Sequence, residues 1–142
     1  MALGLCSGVF ILVWKREIVA NTVRLVGDHL AAMAPAVPRG AFIVVEPACP
    51  LPHSDIRREF VSVIRPYAAI STVVVFEGDG FFRAAVRGAV TSVSLLLGNP
   101  THPHFVASVQ EGAHFMQSEL PGGIGAGELE AAVRTTRTAG VA

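Results

Sequence analysis

Apolar positions along this chain follow two rhythms. Val9-Phe10-Ile11-Leu12-Val13-Trp14 and Ala41-Phe42-Ile43-Val44-Val45 are unbroken apolar runs, and Ile70 to Phe76 (Ile-Ser-Thr-Val-Val-Val-Phe) is a third strand candidate, rich in β-branched residues. Runs of this length predict buried strands. Between them apolar residues recur at spacings of three and four, which is the period of an amphipathic helix. Val19, Val23, Val26, Leu30 and Met33 predict a helix over about 20–34, stopped by Pro35 and Pro38. Ile56, Phe60, Val63, Ile64 and Tyr67 predict a second over about 54–67. Glu77-Gly78-Asp79-Gly80 then turns the chain into a third helix from Phe81 to Leu97. His104 to Ala107 is a short fourth strand, and Ser108-Val109-Gln110-Glu111 is a capping-box pattern that opens a fourth helix to about Leu120.

Strands that are apolar on both faces are buried on both faces, and helices between them imply right-handed crossovers into a parallel sheet. The expected fold is therefore α/β, with a mainly parallel four- to five-stranded sheet and about four helices over residues 1–120. Residues 121–142 differ in kind. Pro121-Gly122-Gly123-Ile124-Gly125-Ala126-Gly127 has linker composition, and Glu128 to Arg137 could form a short helix but offers few large apolar side chains to dock. A flexible, Gly-rich C-terminal tail is expected there.

Composition narrows the class. The 142 residues are 51% hydrophobic and 15% charged, which excludes a disordered chain and suits one domain with a core. Eleven basic and eleven acidic side chains cancel, leaving no global electrostatic footprint for nucleic acid. Weak charge repulsion also permits self-association. Cys6 and Cys49 are too few for a disulfide scaffold and fit a reducing compartment. No basic residue precedes the apolar N-terminal run, and Lys15-Arg16-Glu17 ends it short of the roughly 20 residues of a membrane span. The expectation is a cytoplasmic chain without a membrane span.

Candidate chemistry is sparse. Ser54 stands where a helix begins and is expected to act as its N-cap. Glu77 and Asp79 bring two carboxylates to the end of a strand, where Gly78 and Gly80 supply turn geometry and Asp79 a helix cap. Walker and Gly-x-Gly-x-x-Gly patterns are absent. His102 and His104, with Glu111 or His114, could approach one another, but metal-ligand spacing is lacking. Cys49 and His53 share a proline-studded loop with no third orienting residue. No catalytic residue, metal or cofactor is expected.

Val9–Trp14, Val44-Val45-Glu46-Pro47 with Leu51-Pro52, and Val73-Val74-Val75-Phe76-Glu77-Gly78-Asp79-Gly80-Phe81 together resemble a known family. The likeness continues through Arg83–Arg87, resumes over Val106–Ala113, and spans about residues 8–120. It is to STAS-like domains, the anti-sigma-factor antagonist type, in a bacterial branch of the STAS/CRAL-TRIO superfamily. That resemblance implies a regulatory or scaffolding domain that works by protein contact and carries out no reaction. In that family a serine opening the helix after a central strand is phosphorylated, within an Asp-Ser-Ser/Thr-Gly pattern. Pro52-His53-Ser54-Asp55 occupies the place here without the pattern, so Ser54 is the candidate regulatory phosphosite. The CRAL-TRIO branch implies the alternative of a small-molecule or lipid-binding domain. Such a site needs an apolar pocket of some hundreds of Å³, which four short strands are expected to struggle to enclose.

The segment 81–97 carries one more expectation. Arg83, Arg87, Thr91 and Ser94 form a narrow polar stripe, and apolar residues cover far more than the width that packs on a sheet. Gly88 and the alanines beside it would admit another backbone. Excess apolar surface marks a contact site, and symmetric self-association is the commonest cover. A homo-oligomer is expected, with Phe81, Phe82, Val86, Val90, Val93 and Leu97 at its interface.

Overall fold

A computed structural model of the chain describes residues 1–32, 39–47, 49–67, 71–97, 103–120 and 122–139, with backbone only for Tyr67, Phe82, Val90, Ser94, Leu96 and Leu97. Among these residues the strands are β1 (Ala2–Cys6), β2 (Val9–Trp14), β3 (Gly40–Val45), β4 (Ser71–Phe76) and β5 (His104–Val106). The helices are α1 (Ala20–Ala32), α2 (Ser54–Ile64), α3 (Gly80–Leu97), α4 (Val109–Glu119) and α5 (Ala126–Ala139). The α/β class and mainly parallel five-stranded sheet agree with expectation. Met33, Pro35, Pro38 and Ile70 lie outside the described residues.

The strands lie in the order β1-β2-β3-β4-β5, antiparallel between β1 and β2 and parallel from β2 onward. β1 has no counterpart in the apolar pattern. It is joined to β2 through Ser7 and Gly8, whose φ values of 48° and 81° suit a tight hairpin turn with both central residues left-handed. Each crossover from β2 to β5 adds its strand on the same side, so right-handedness sends α1, α2 and α3 to one face of the sheet. α4 and α5 cover the other face.

Period two sorts the side chains between these layers. Phe10, Leu12, Trp14, Val45, Val74 and Phe76 bury against Val26, Leu30 and Val86 of the three-helix layer. Val9, Ile11, Val13, Phe42, Val44 and Val73 bury against Ala113 and Met116 of α4 and Leu129 and Val133 of α5.

That second layer corrects the expected C-terminal tail. Residues 126–139 are a helix, not a mobile segment, and Ile124, Ala126, Leu129 and Val133 are all buried. The packed unit therefore runs past residue 120, to 139, and its helices number five among the described residues rather than four. The helix has few large apolar residues because it packs on the small side of the sheet. Gly4 of β1 leaves room for Thr136, and a Cβ at that glycine would collide with the Thr136 hydroxyl. α2 ends at Ile64, three residues before its expected limit, in a 3-10 turn over Arg65–Tyr67. Pro66 has no N–H to continue the helix. Among the described residues no helix is long and apolar enough to cross a membrane.

Candidate functional site

Open α/β sheets place ligands beyond the carboxyl ends of their parallel strands. Register pairs Trp14 with Val45 and Val45 with Phe76, so the next residues, Lys15, Glu46 and Glu77, stand side by side at that edge. Strand parity turns all three toward the α4–α5 face. There Arg137, in the last turn of α5, donates from Nη2 to Glu77 Oε1 at 2.9 Å and holds Nε 3.8 Å from Glu46 Oε1. The Lys15 ammonium donates to the Arg137 carbonyl, one of the helix-end carbonyls that lack an intrahelical partner. Arg137 thus pairs with both carboxylates while Lys15 holds its carbonyl, and the cluster acts as a clamp that ties α5 to three strands. Sequence reasoning missed it, although each of three apolar strands is followed at once by a charged residue.

Ser54 is exposed and is the first residue of α2. Its expected N-cap role is corrected: the cap position belongs to His53, which has extended φ and ψ and makes no side-chain cap bond. Of the two arginines one turn on, Arg57 donates to the Pro52 carbonyl at 2.9 Å and Arg58 lies 3.7 Å from Asp55. At α4 the Ser108 half of the expected capping box forms, while the glutamate half reaches one residue further back, to Ala107 rather than to the cap residue itself. Glu111 N–H donates to Ser108 Oγ at 3.2 Å, and the Glu111 carboxylate accepts from Ala107 N–H at 3.2 Å.

Glu77-Gly78-Asp79 leads directly into α3, where the Asp79 carbonyl accepts the Arg83 N–H at 2.8 Å. The expected interface residues of α3 separate. Phe81 is 88% exposed, whereas Val86 is 2% exposed and faces the sheet, so Val86 is corrected to a core residue. Val93 is half-buried over the same inner side. The side chains of Phe82, Val90 and Leu97 lie outside the described residues. Arg83 and Arg87 sit over the Phe76 and Phe105 rings at 5.5 and 5.0 Å, which accounts for the polar stripe as a rim over the sheet edge.

Neither cysteine is placed for thiolate chemistry. Burial pushes the Cys49 thiol above its usual range, and it points to the Arg16 carbonyl at 3.3 Å. Cys6 is raised by burial and then by Glu128, whose carboxylate accepts from Cys6 at 3.5 Å and from Ser7 Oγ at 2.8 Å. His104 stacks on Phe115 with ring centroids 3.6 Å apart, and His114 is exposed on α4. His102 lies outside the described residues. Among the described residues no three of His, Cys, Asp and Glu converge.

The other concavity is apolar. Between the sheet and α1–α3 lies a cavity of about 170 Å³, floored by Leu12, Trp14 and Ile43 and roofed by Phe60, Val86 and Ala89. Its volume falls short of the roughly 300 Å³ at which drug-sized sites begin. Its lining is almost wholly apolar, with Arg57 the only charged residue among those described. Arg57 stands outside the apolar spacing of Ile56, Phe60, Val63 and Ile64, so the periodic pattern does not reveal it. Comparison of the chain with protein-family models, curated proteins and solved structures found no match.

Proposed function

We propose that the chain is a non-enzymatic regulatory domain of STAS-like, anti-sigma-factor antagonist type, which acts by protein contact and takes a second copy of itself as partner. The outer stripe of α3 carries this reading. Phe81 and Leu95 are 88% and 73% exposed. They lie two heptads apart with Gly88 midway, so all three share one side of the helix. Ala84 and Thr91 complete the stripe and are exposed as well. No atom stands within 4 Å of the place a Cβ would take on Gly88, which leaves room for a neighbouring backbone. Large exposed apolar side chains at both ends of a small-residue stripe are the surface a symmetric helix pair would cover.

Ser54 lends support, since it is exposed at the start of the helix that follows the middle strand, where the resemblance implies a regulatory serine. Free thiols at Cys6 and Cys49 fit a reducing, cytoplasmic setting. A photo-crosslinking residue at position 81 tests the contact in purified protein. Covalent dimers are expected from position 81 and not from position 134, which is exposed on the opposite layer. Equal yields from both positions, or none from 81, would refute it. The cavity favours a second reading, a small-molecule or lipid-binding domain as the CRAL-TRIO branch implies.

A further inference from the structure

This inference rests on the ligand-binding reading and names the ligand class. An apolar cavity of about 150 Å³ inside a protein stays dry and accepts benzene, because its walls lack contacts that an apolar guest restores. The cavity here has about 170 Å³ of such space. Its shape is long. Ala41, Ile43 and Val45 of β3 all line it, a run of about 13 Å at the rise of a strand. Val86, Ala89 and Val93 of α3 line the opposite wall at helical spacing. So small a volume drawn out over that length fits a single extended alkyl chain better than a fused ring system.

Among the described residues Arg57 is the one charged member of the lining. Arg57 is half-buried and reaches both the lining and solvent, and its bond to the Pro52 carbonyl at 2.9 Å fixes the guanidinium there. Neighbouring charges are paired elsewhere, Arg58 with Asp55 and Arg24 with Glu59. No carboxylate among the described residues pairs with Arg57. A guanidinium keeps its charge at every accessible pH and presents a fork of donors that matches a carboxylate. A single such group balances one negative charge, not the two of a phosphate monoester.

We infer that the cavity binds an unbranched alkyl carboxylate, with the chain along β3 beneath α3 and the carboxylate on Arg57. Trp14 lines the cavity and is the only tryptophan, so its fluorescence reports occupancy directly. Brominated alkanoates should quench it, and unbrominated alkanoates of rising length should displace them. Affinity should climb about fourfold per methylene until the cavity is full, then level off. Alkan-1-ols of equal length should bind at least tenfold more weakly, the difference a charge-assisted hydrogen bond supplies. Arg57→Gln should remove that difference and leave the alcohols unchanged. Ala89→Leu, or Ile43→Phe should the first fail to fold, should fill the space and abolish both series while the far-UV circular dichroism is retained.

Alcohols that bind as tightly as alkanoates in the parent protein would overturn the carboxylate assignment and leave the ligand-binding reading standing. No quenching by either series at millimolar concentration would overturn both. Quenching that survives the filling variants in folded protein would put the ligand elsewhere and overturn the inference.

Discussion

Leu129→Ala separates a packed C-terminal helix from a tail more sharply than any other single change. Leu129 is fully buried, in a cluster that draws on β2, β3, α4 and α5. Truncation to alanine removes three carbons, worth about 2 kcal/mol at about 0.8 kcal/mol per methylene. The void left behind adds a further cost, which brings the expected loss to about 3 kcal/mol, within the range of about 2–5 measured for such changes. Partial detachment of α5 would cap the loss, since a helix at the chain end can open locally before the rest. Trp14 is 5% exposed on β2 and reports the core through its fluorescence, while circular dichroism at 222 nm follows the helices. Urea titrations read by both probes should show coincident transitions and a lowered midpoint with an unchanged slope. A midpoint within error of the parent would show that residues 126–139 stand outside the cooperative unit and would refute the packing described here.

Gly112→Ala should destabilise by about 1–3 kcal/mol in the same titration, although alanine is ordinarily the better helix former. The added Cβ would lie 2.8 Å from the Phe42 ring, which is wholly buried and has nowhere to go; a gain in stability would contradict that contact. Ser108→Ala should cost about 1 kcal/mol as a true N-cap, whereas Ser54→Ala should fall within about 0.5 kcal/mol of the parent. Equal losses at the two serines would contradict the different cap geometries. Glu128 is held below its usual value of 4.5 by hydrogen bonds from Ser7 and then Cys6. A depressed native value contributes stability above pH 4.5 that is lost as pH falls through that lower value. Urea midpoints measured between pH 6 and pH 3 should therefore fall less steeply for Ser7→Ala than for the parent, and parallel curves would contradict the linkage.

The parts of the fold that were legible in the sequence are those whose physics is local. β2, β3 and β4 are covered on both faces, so they appear as unbroken apolar runs such as Val73-Val74-Val75. Ser108 and Glu111 announce α4 through two local bonds, Glu111 N–H to Ser108 and Ala107 N–H to Glu111. β1 was not legible, because an edge strand written Ala-Leu-Gly-Leu-Cys owes its place to the hairpin turn and to Thr136, more than a hundred residues away. α5 hid for the same reason, since a thin stripe of Leu129, Val133 and Thr136 suffices only where Ala2 and Gly4 leave the sheet low. Ser54 misled by one position. Its residue type favours a cap, but the extended backbone sits at His53, so the helix starts with the serine inside it. The cavity and the Lys15–Glu46–Glu77–Arg137 clamp join four or more segments each, and no local spacing encodes them. Val86 was misassigned because α3 is apolar on more than one side, and periodicity alone does not say which side meets the sheet.

Sedimentation equilibrium at micromolar concentration tests the proposed contact most directly. The parent chain should sediment as a homo-oligomer, and Phe81→Glu or Leu95→Glu should dissociate it to folded monomers with an unchanged circular dichroism spectrum. Arg134→Glu, on the far layer, should leave it assembled. A parent chain that sediments as a 14.9 kDa monomer would contradict the account.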